Sequence, residues 1–191
     1  MTSFTIIGTG KMGDAIGRVL AHGGGEVDYV DHASAGAAAI AGEVVVLAVP
    51  YPALDDVVAT FAKQLAGKTV VDITNPIDFA TLASSVPVGS SATSELQQQL
   101  PDSVVLKAFN TNLAPTLVSK QTGGIGTTVL IAGDDDEAKS VLAAAVTGGG
   151  LEAVDVGTQD RARDLESLGL LLVTLAVRQH IGRSGGFAVV K

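Results

Sequence analysis

Residues 4–13 read Phe4-Thr5-Ile6-Ile7-Gly8-Thr9-Gly10-Lys11-Met12-Gly13, a short apolar run followed by glycines in the spacing G-x-G-x-x-G. An Ala/Ile/Val/Leu-rich segment of helical pattern follows at once, and a second apolar run, Val27 to Val30, stops on an acid, Asp31. Strand, glycine turn, helix, strand and acid in that order form the dinucleotide-binding fingerprint, with the acid about 20 residues beyond the glycines. Gly8 permits the tight turn off the strand, Gly10 lets a pyrophosphate approach bare backbone, and Gly13 lets the helix pack closely on the sheet. The helix start then offers N–H groups and a positive dipole end to phosphate oxygens.

Outward from this stretch, short apolar runs alternate with helix-length segments. The pattern predicts an α/β fold, a doubly wound, mostly parallel Rossmann-type sheet. The stretch from His32 to Gly42 is too poor in large apolar residues for an anchored helix. Glu43 to Val49 reads as a buried strand ending at Pro50, and Ala53 to Leu65 as a helix with Leu54, Val57, Phe61 and Leu65 at helical spacing. Lys68 to Ile73 is a strand ending in Thr74-Asn75-Pro76, Ser94 to Leu100 a short helix, and Val104 to Ala108 a strand leading into Phe109-Asn110-Thr111-Asn112. Thr127 to Ala132 and Leu151 to Val156 are further strands, flanking a helix with acids in its first turn. The last helix, about Asp160 to Ile181, is apolar around its whole circumference. That predicts a buried C-terminal helix, packed inside the domain or against a second subunit. No repeat or long linker divides the chain, so residues 1–191 are expected to form a single domain.

Composition narrows the function. With 191 residues, 47% apolar and 17% charged, the chain suits an ordinary folded core rather than disorder. A net charge of −8 without a basic cluster argues against nucleic acid and anionic membrane surfaces. The longest apolar stretch, Leu168 to Val177, is too short to cross a bilayer, and Met1-Thr2-Ser3 runs into the first strand without a leader pattern. Cytoplasmic residence is therefore expected. The absence of cysteine excludes disulfides, thiolate metal ligation and a cysteine nucleophile; His22, His32 and His180 lack metal-ligand spacing, so no metal is expected.

Five strand ends carry small, Pro or Asn residues: Gly8-Thr9-Gly10, Ala48-Val49-Pro50, Thr74-Asn75-Pro76, Ala108-Phe109-Asn110-Thr111 and Gly133-Asp134-Asp135. In open parallel sheets, ligands bind beyond the carboxyl ends of the strands. The segments GTGKMG, VVLAVPY, GKTVVDITNP, SSATSELQQQLP, VLKAFNT, GDDDEAK and ARDLESL, spread from Ile6 to Leu168, resemble the coenzyme F-420-dependent NADP oxidoreductases (8-hydroxy-5-deazaflavin:NADPH oxidoreductases). The resemblance implies hydride transfer between a nicotinamide cofactor and a deazaflavin or other small redox molecule. It also implies that Thr9, Gly10, Lys11 and Met12 line the cofactor phosphates between Gly8 and Gly13. Ala48, Val49, Pro50 and Tyr51 would border the nucleotide and nicotinamide, with Asn75, Pro76 and Ala114 near the redox end.

One departure concerns the cofactor. NADP-dependent members resemble one another in a small-residue/Ser/Arg turn that holds the 2′-phosphate, whereas this chain has Asp31-His32-Ala33. A carboxylate repels a 2′-phosphate and accepts hydrogen bonds from a ribose diol. Asp31 thus favours NAD(H), family resemblance favours NADP(H), and a protonated His32 would favour a phosphate. The short link between Asp31 and Glu43 also leaves the adenosine side open.

No Ser/His/Asp arrangement, paired carboxylates or phosphate-transfer lysine motif is visible, and no catalytic residue is assigned. Hydride transfer tolerates this, because the cofactor carries the reactive C–H bond. Lys107 reads as a surface ion pair, with a proton donor that reaches the site as the alternative, Asp72 as a partner for nearby backbone, and Phe109 as core. Arg161, Arg163 and Glu166 read as ion pairs at the start of the last helix. Asn75 and Asn110 are placed for hydrogen bonds to the nicotinamide or substrate, with turn formation as the alternative. Two rival functions stay open: an imine or β-hydroxyacid reductase, since GTGKMG also resembles the start of pyrroline-carboxylate reductases, and a non-catalytic NAD(P)-sensing module. The helical carboxy-terminal domain of the former would not fit after Gly157. The expected partners are a small-molecule redox substrate and a second copy of the chain, paired through the C-terminal helix.

Replacing Asp31 by Ser together with Ala33 by Arg is expected to shift the NADP(H)-to-NAD(H) affinity ratio towards NADP(H) by about tenfold or more. Fluorescence titration with both reduced cofactors reads the ratio, and an unaltered preference removes Asp31 from the site.

Overall fold

The computed structural model describes residues 1–31 and 38–190, so the reading of His32 lies outside the described residues. In chain order the elements are β1 Ser3–Ile7, α1 Lys11–His22, β2 Glu26–Val30, β3 Val44–Leu47, α2 Leu54–Leu65, β4 Thr69–Asp72, β5 Ile77–Asp78, β6 Ala83–Ser84, α3 Ala92–Gln99, β7 Val104–Lys107, α4 Ala114–Ser119, β8 Gln121–Thr122, β9 Ile125–Gly126, β10 Thr128–Ala132, α5 Asp136–Gly148, β11 Glu152–Gly157 and α6 Ala162–Val177.

Seven strands form one sheet in the order β11-β10-β7-β4-β3-β1-β2. β2, β1, β3, β4 and β7 are mutually parallel. The chain leaves β1 for β2 on one side and returns to β3 on the other, which opens a crevice at the carboxyl ends of β1 and β3. Alternation along the strands divides the core between two faces. Phe4, Ile6, Val46 and Leu106 pack with Ile16, Leu20 and Leu142 of α1 and α5, while Ile7, Val45, Leu47 and Val105 pack with Phe61, Leu65 and Leu96 of α2 and α3.

The expectation of five strand ends on one edge requires correction. β10 meets β7 antiparallel at Ala132–Lys107, and β11 runs parallel to β10. A parallel return would need a crossover down the full height of the sheet. Between β7 and β10 the chain provides only the short α4 and the β8–β9 hairpin, and Asn112 at the carboxyl edge donates from Nδ2 to the Thr128 carbonyl at 3.0 Å. β10 therefore starts at the carboxyl edge and runs away from it. Asp135 lies at the opposite edge, lining a cavity with Thr2, Glu43, Thr69 and Val104.

Local chemistry shifts two helix boundaries. Ser91 accepts from the Ser94 N–H in a capping box, so α3 starts at Ala92 rather than Ser94. α6 is entered through a 3₁₀ turn at Gln159–Arg161 and closes where Gln179 takes φ 60°. Ala162, Leu165, Gly169 and Leu172 give α6 its buried stripe, whereas Leu171 is 49% and Val177 56% exposed. Within the described chain α6 is thus buried on one side only. No helix among the described residues is long and apolar enough to cross a membrane.

Leu172→Glu places an unpaired charge in the core and is expected to cost about 3 kcal/mol or more, whereas Leu171→Glu is expected to change the stability of the isolated chain by under about 0.5 kcal/mol. Urea unfolding of both variants checks the orientation of α6; equal losses would contradict it.

Candidate functional site

The glycine turn brings three backbones into contact. The Gly8 N–H donates to Val30 O at 2.9 Å, and the Ala48 N–H donates to Ile7 O at 2.8 Å. Gly8 has φ +114°, and a Cβ there would collide with the Ala48 carbonyl. A Cβ at Gly13 would collide with the carbonyl of Gly8, so the missing side chain lets α1 sit close on the turn. Gly10 differs, since nothing lies within 4 Å of where its Cβ would project. It is the N-cap of α1 and makes no side-chain capping bond, so the helix start borders open space. Bare backbone, a helix dipole and room for a group the size of phosphate match a diphosphate's needs.

Thr9 and Lys11 are exposed here, while Met12, Ala48 and Ala114 pack partly buried against the core beneath. Because β1, β3 and β4 are parallel, Gly8 to Gly13, Ala48 to Tyr51 and Asn75-Pro76 all follow carboxyl strand ends on the same edge, and exposed Asp31 follows β2 there too. The Tyr51 hydroxyl donates to Glu95 Oε2 at 3.4 Å; partial burial, then the Glu95 charge, raises the phenol above its usual pKa.

Asn75 and Asn110 are differently engaged from the expectation that they hydrogen-bond a ligand. Asn75 Nδ2 donates to Asn110 O at 2.8 Å, and Asn110 Nδ2 donates to Asn75 Oδ1 and to Leu165 O, each at 2.8 Å. Both N–H bonds of the Asn110 amide are therefore committed to holding β4, β7 and α6 together. A Cβ on Gly169 would collide with the Asn75 amide, so this glycine lets α6 lie directly on it. Two buried acceptors beside this clamp, Thr74 Oγ1 and Asn110 Oδ1, have no partner.

Below the clamp lies a charged network that revises the readings of Lys107 and Glu166. Lys107 is fully buried, not part of a surface pair. Its Nζ donates to Asp72 Oδ2 at 2.8 Å, to Glu166 Oε1 at 2.8 Å and to Thr74 O at 2.7 Å, which uses all three ammonium hydrogens. Asp72 also accepts from the Thr74 N–H at 2.8 Å, as expected of a partner for nearby backbone, and from the Thr93 hydroxyl at 2.9 Å. Glu166 accepts from the Ala92 N–H at 3.1 Å and the Thr93 N–H at 3.4 Å, the first two residues of α3. Burial pushes the Glu166 carboxyl above its ordinary value of 4.5, against the lowering effect of Lys107. Arg161 pairs with Asp164 at 2.9 Å and Arg163 approaches the same carboxylate at 4.0 Å, as expected for the start of the last helix. Phe109 is core.

Residues 26–76, which run from β2 to the Asn75-Pro76 turn, match the family model described as NADP oxidoreductase, coenzyme F420-dependent. The F420-dependent NADP reductase of Methanocaldococcus jannaschii is 31% identical over 149 residues, 74% of this chain and 65% of that protein. Its counterpart in Methanothermobacter thermautotrophicus is 29% identical over 184 residues, 92% of this chain and 78% of that one. These matches support the coenzyme F-420-dependent NADP oxidoreductase family for this chain. It spans 65% of the length of the M. jannaschii relative. An F420-dependent NADP-reductase candidate from Arthrobacter sp. FB24, solved as a crystal structure, superposes with a TM-score of 0.84 over 100% of both chains at 24% identity, a likeness of fold.

The buried network has one legible sequence signal. The apolar strands Thr69–Asp72 and Val104–Lys107 each end on a charge, of opposite sign, and Asp72 pairs with Lys107 in the sheet register. Glu166 gives no such signal, since it sits among ordinary helix-start charges. No cluster of His, Cys, Asp or Glu that could hold a metal occurs among the described residues.

Folding favours the neutral form of Glu166, so its contribution to stability is full below pH 4.5 and is lost as pH rises through its raised folded-state value. Lys107→Met would leave two buried carboxylates without their cation, and is expected to cost about 3–5 kcal/mol at neutral pH. Removing the cation that holds the Glu166 carboxyl down would raise its pKa further in that variant, so the deficit should shrink as pH falls. Urea midpoints of both proteins at pH 5 and pH 8 measure it; a pH-independent deficit would contradict the arrangement.

Proposed function

We propose that this chain binds a nicotinamide dinucleotide across the carboxyl edge of its sheet and passes hydride between it and a deazaflavin or similar flat redox molecule. The supporting observation is the contrast at the glycine turn: Gly8 and Gly13 have no space for a side chain, while Gly10 opens outward at the start of α1. The relatives named as F420-dependent NADP reductases support the choice of acceptor.

In this reading the Gly8 to Gly13 turn, with Thr9, Lys11 and Met12, holds the diphosphate. Ala48, Val49, Pro50 and Tyr51 border the nucleotide and the nicotinamide, and Asn75, Pro76 and Ala114 flank the redox end. Asp31 faces the adenosine ribose and disfavours a second phosphate, so the proposal extends to NAD(H) as well as NADP(H). When bound, the dinucleotide supplies a C–H bond that can leave with its electron pair. The chain itself orients the two rings and excludes water between them. A cavity of about 220 Å³ beside Pro76, bounded by Ser84, Val88, Glu166 and Leu170, is the proposed place for the acceptor. Residues 1–191 act as one domain, in the cytoplasm, with pairing of two copies through the half-exposed Leu171 and Val177 face of α6.

The test mixes purified protein with NADPH or NADH and a deazaflavin or flavin, and follows loss of reduced cofactor. Hydride transfer is the expected result; binding of cofactor without turnover across acceptors would favour a sensor. Gly10→Val fills open space at an ordinary backbone angle of φ −74°, so the fold should melt unchanged while cofactor affinity falls about a hundredfold or more. Undiminished binding would refute the phosphate assignment.

A further inference from the structure

Glu166 faces two ways. Its carboxylate reaches inward to Lys107 of β7 and the first N–H groups of α3, and it also borders the cavity beside Pro76. One wall of that cavity is α6, through Glu166, Ser167 and Leu170; the opposite wall is the 84–90 loop, which leads directly into α3. The two walls are linked by Glu166: Oε1 takes the ammonium of Lys107, which also grips Thr74 O, and Oε2 takes the Ala92 N–H. Only a carboxylate serves both sides, since it has two acceptor oxygens and no donor.

We propose that Glu166 is a positioning residue for the acceptor: by bridging Lys107 and the start of α3, its ionised carboxylate sets the spacing between α6 and the Thr74–Pro76 turn, and so the shape of the cavity beside Pro76. This rests on the oxidoreductase reading above. Glu166 makes no bond with the reacting atoms; it acts through the walls it joins. The groups that face it are Asp72 from β4, Lys107 from β7, the Thr93 hydroxyl and the Ala92 and Thr93 N–H groups from α3, and Tyr51 from the turn after β3, whose phenol feels its charge. Arg163 of its own helix lines the same cavity. Protonating Glu166 turns one acceptor into a donor and sets it against Lys107 or the Ala92 N–H. The bridge then fails without any change in bulk.

Glu166→Gln imitates that state, because an amide has one acceptor oxygen and one NH₂. It also removes the excess negative charge of the network, so the variant should fold. Three measurements on wild type and E166Q decide the matter: cofactor affinity by fluorescence titration, the acceptor KM and kcat of hydride transfer from pH 5 to pH 8, and hydrogen exchange of the α3 amides. The expected result is cofactor affinity within about twofold of wild type, an acceptor KM raised about tenfold, and faster exchange at Ala92 and Thr93. The wild-type acceptor KM should rise towards E166Q's as pH falls, while that of E166Q stays flat. A wild type that transfers hydride, with E166Q matching it in KM and pH profile, overturns the proposal even if E166Q melts earlier. A wild type that transfers hydride to no acceptor overturns the oxidoreductase reading itself, and the positioning role falls with it.

Discussion

An ammonium group buried beneath a parallel sheet's carboxyl edge must be fully partnered, and the arrangement around Lys107 follows from that requirement. Removing an ion from water costs several kcal/mol even after relaxation, so the cation survives only with every hydrogen engaged. Asp72, Glu166 and Thr74 O engage them all. Two carboxylates against one cation leave a surplus negative charge. The start of α3 offsets it, because its first N–H groups and positive dipole end point at Glu166. A network that draws on β4, β7, α3 and α6 fixes their relative positions more narrowly than apolar contacts alone, since none of the partners can withdraw without stranding a charge.

The same edge of the sheet carries the close approaches of backbone at Gly8 and Gly13, and these divide the labour of the site. At the β1 end, side chains are excluded at Gly8 and Gly13 and main chain is left bare at Gly10, where the proposed function puts the phosphates. At the β4 and β7 ends, side chains crowd in and satisfy one another: Asn75 with Asn110, Asn110 with Leu165, Lys107 with its carboxylates. The first region is shaped for electrostatic binding of a charged group. The second is shaped as a wall, stiff and largely spent in its hydrogen bonding, against which flat rings can be set at a defined distance. Hydride transfer asks for that division more than for an acid or base.

How much of this was legible in the chain depends on whether the signal was local. The glycine turn, the strands ending at Ile7, Leu47, Asp72 and Lys107 and the helices between them follow from periodicity and turn chemistry, which act over a few residues. The reversal of β10 was not legible, because its run of Val129 to Ala132 reads the same in either direction. What reverses it is the lack of a full crossover after β7, a matter of three-dimensional reach. Lys107 and Glu166 differ from what their sequence context suggests for a related reason. Each has a bland local context, and only the folded chain brings the carboxylates of Asp72 and Glu166 each within 3 Å of the Lys107 ammonium. The paired roles of Asn75 and Asn110 were likewise hidden by a sequence separation of 35.

The apolar circumference of α6 shows what a helical pattern can and cannot specify. Leu165, Gly169 and Leu172 form the stripe that is buried, and Gly169 is needed there because the Asn75 amide lies where a Cβ would project. The residues on the other side, Leu171 and Val177, are equally apolar yet about half exposed. A helix covered on one side by its own domain and left apolar on the other has buried only part of its hydrophobic surface, and water contact with the remainder is unfavourable. Since α6 also forms a wall of the cavity beside Pro76, anything that covers its outer face bears on the same helix that Glu166 anchors from within. In the proposed pairing of two copies, the position of that wall would balance an ionic bridge on the inside against apolar burial on the outside.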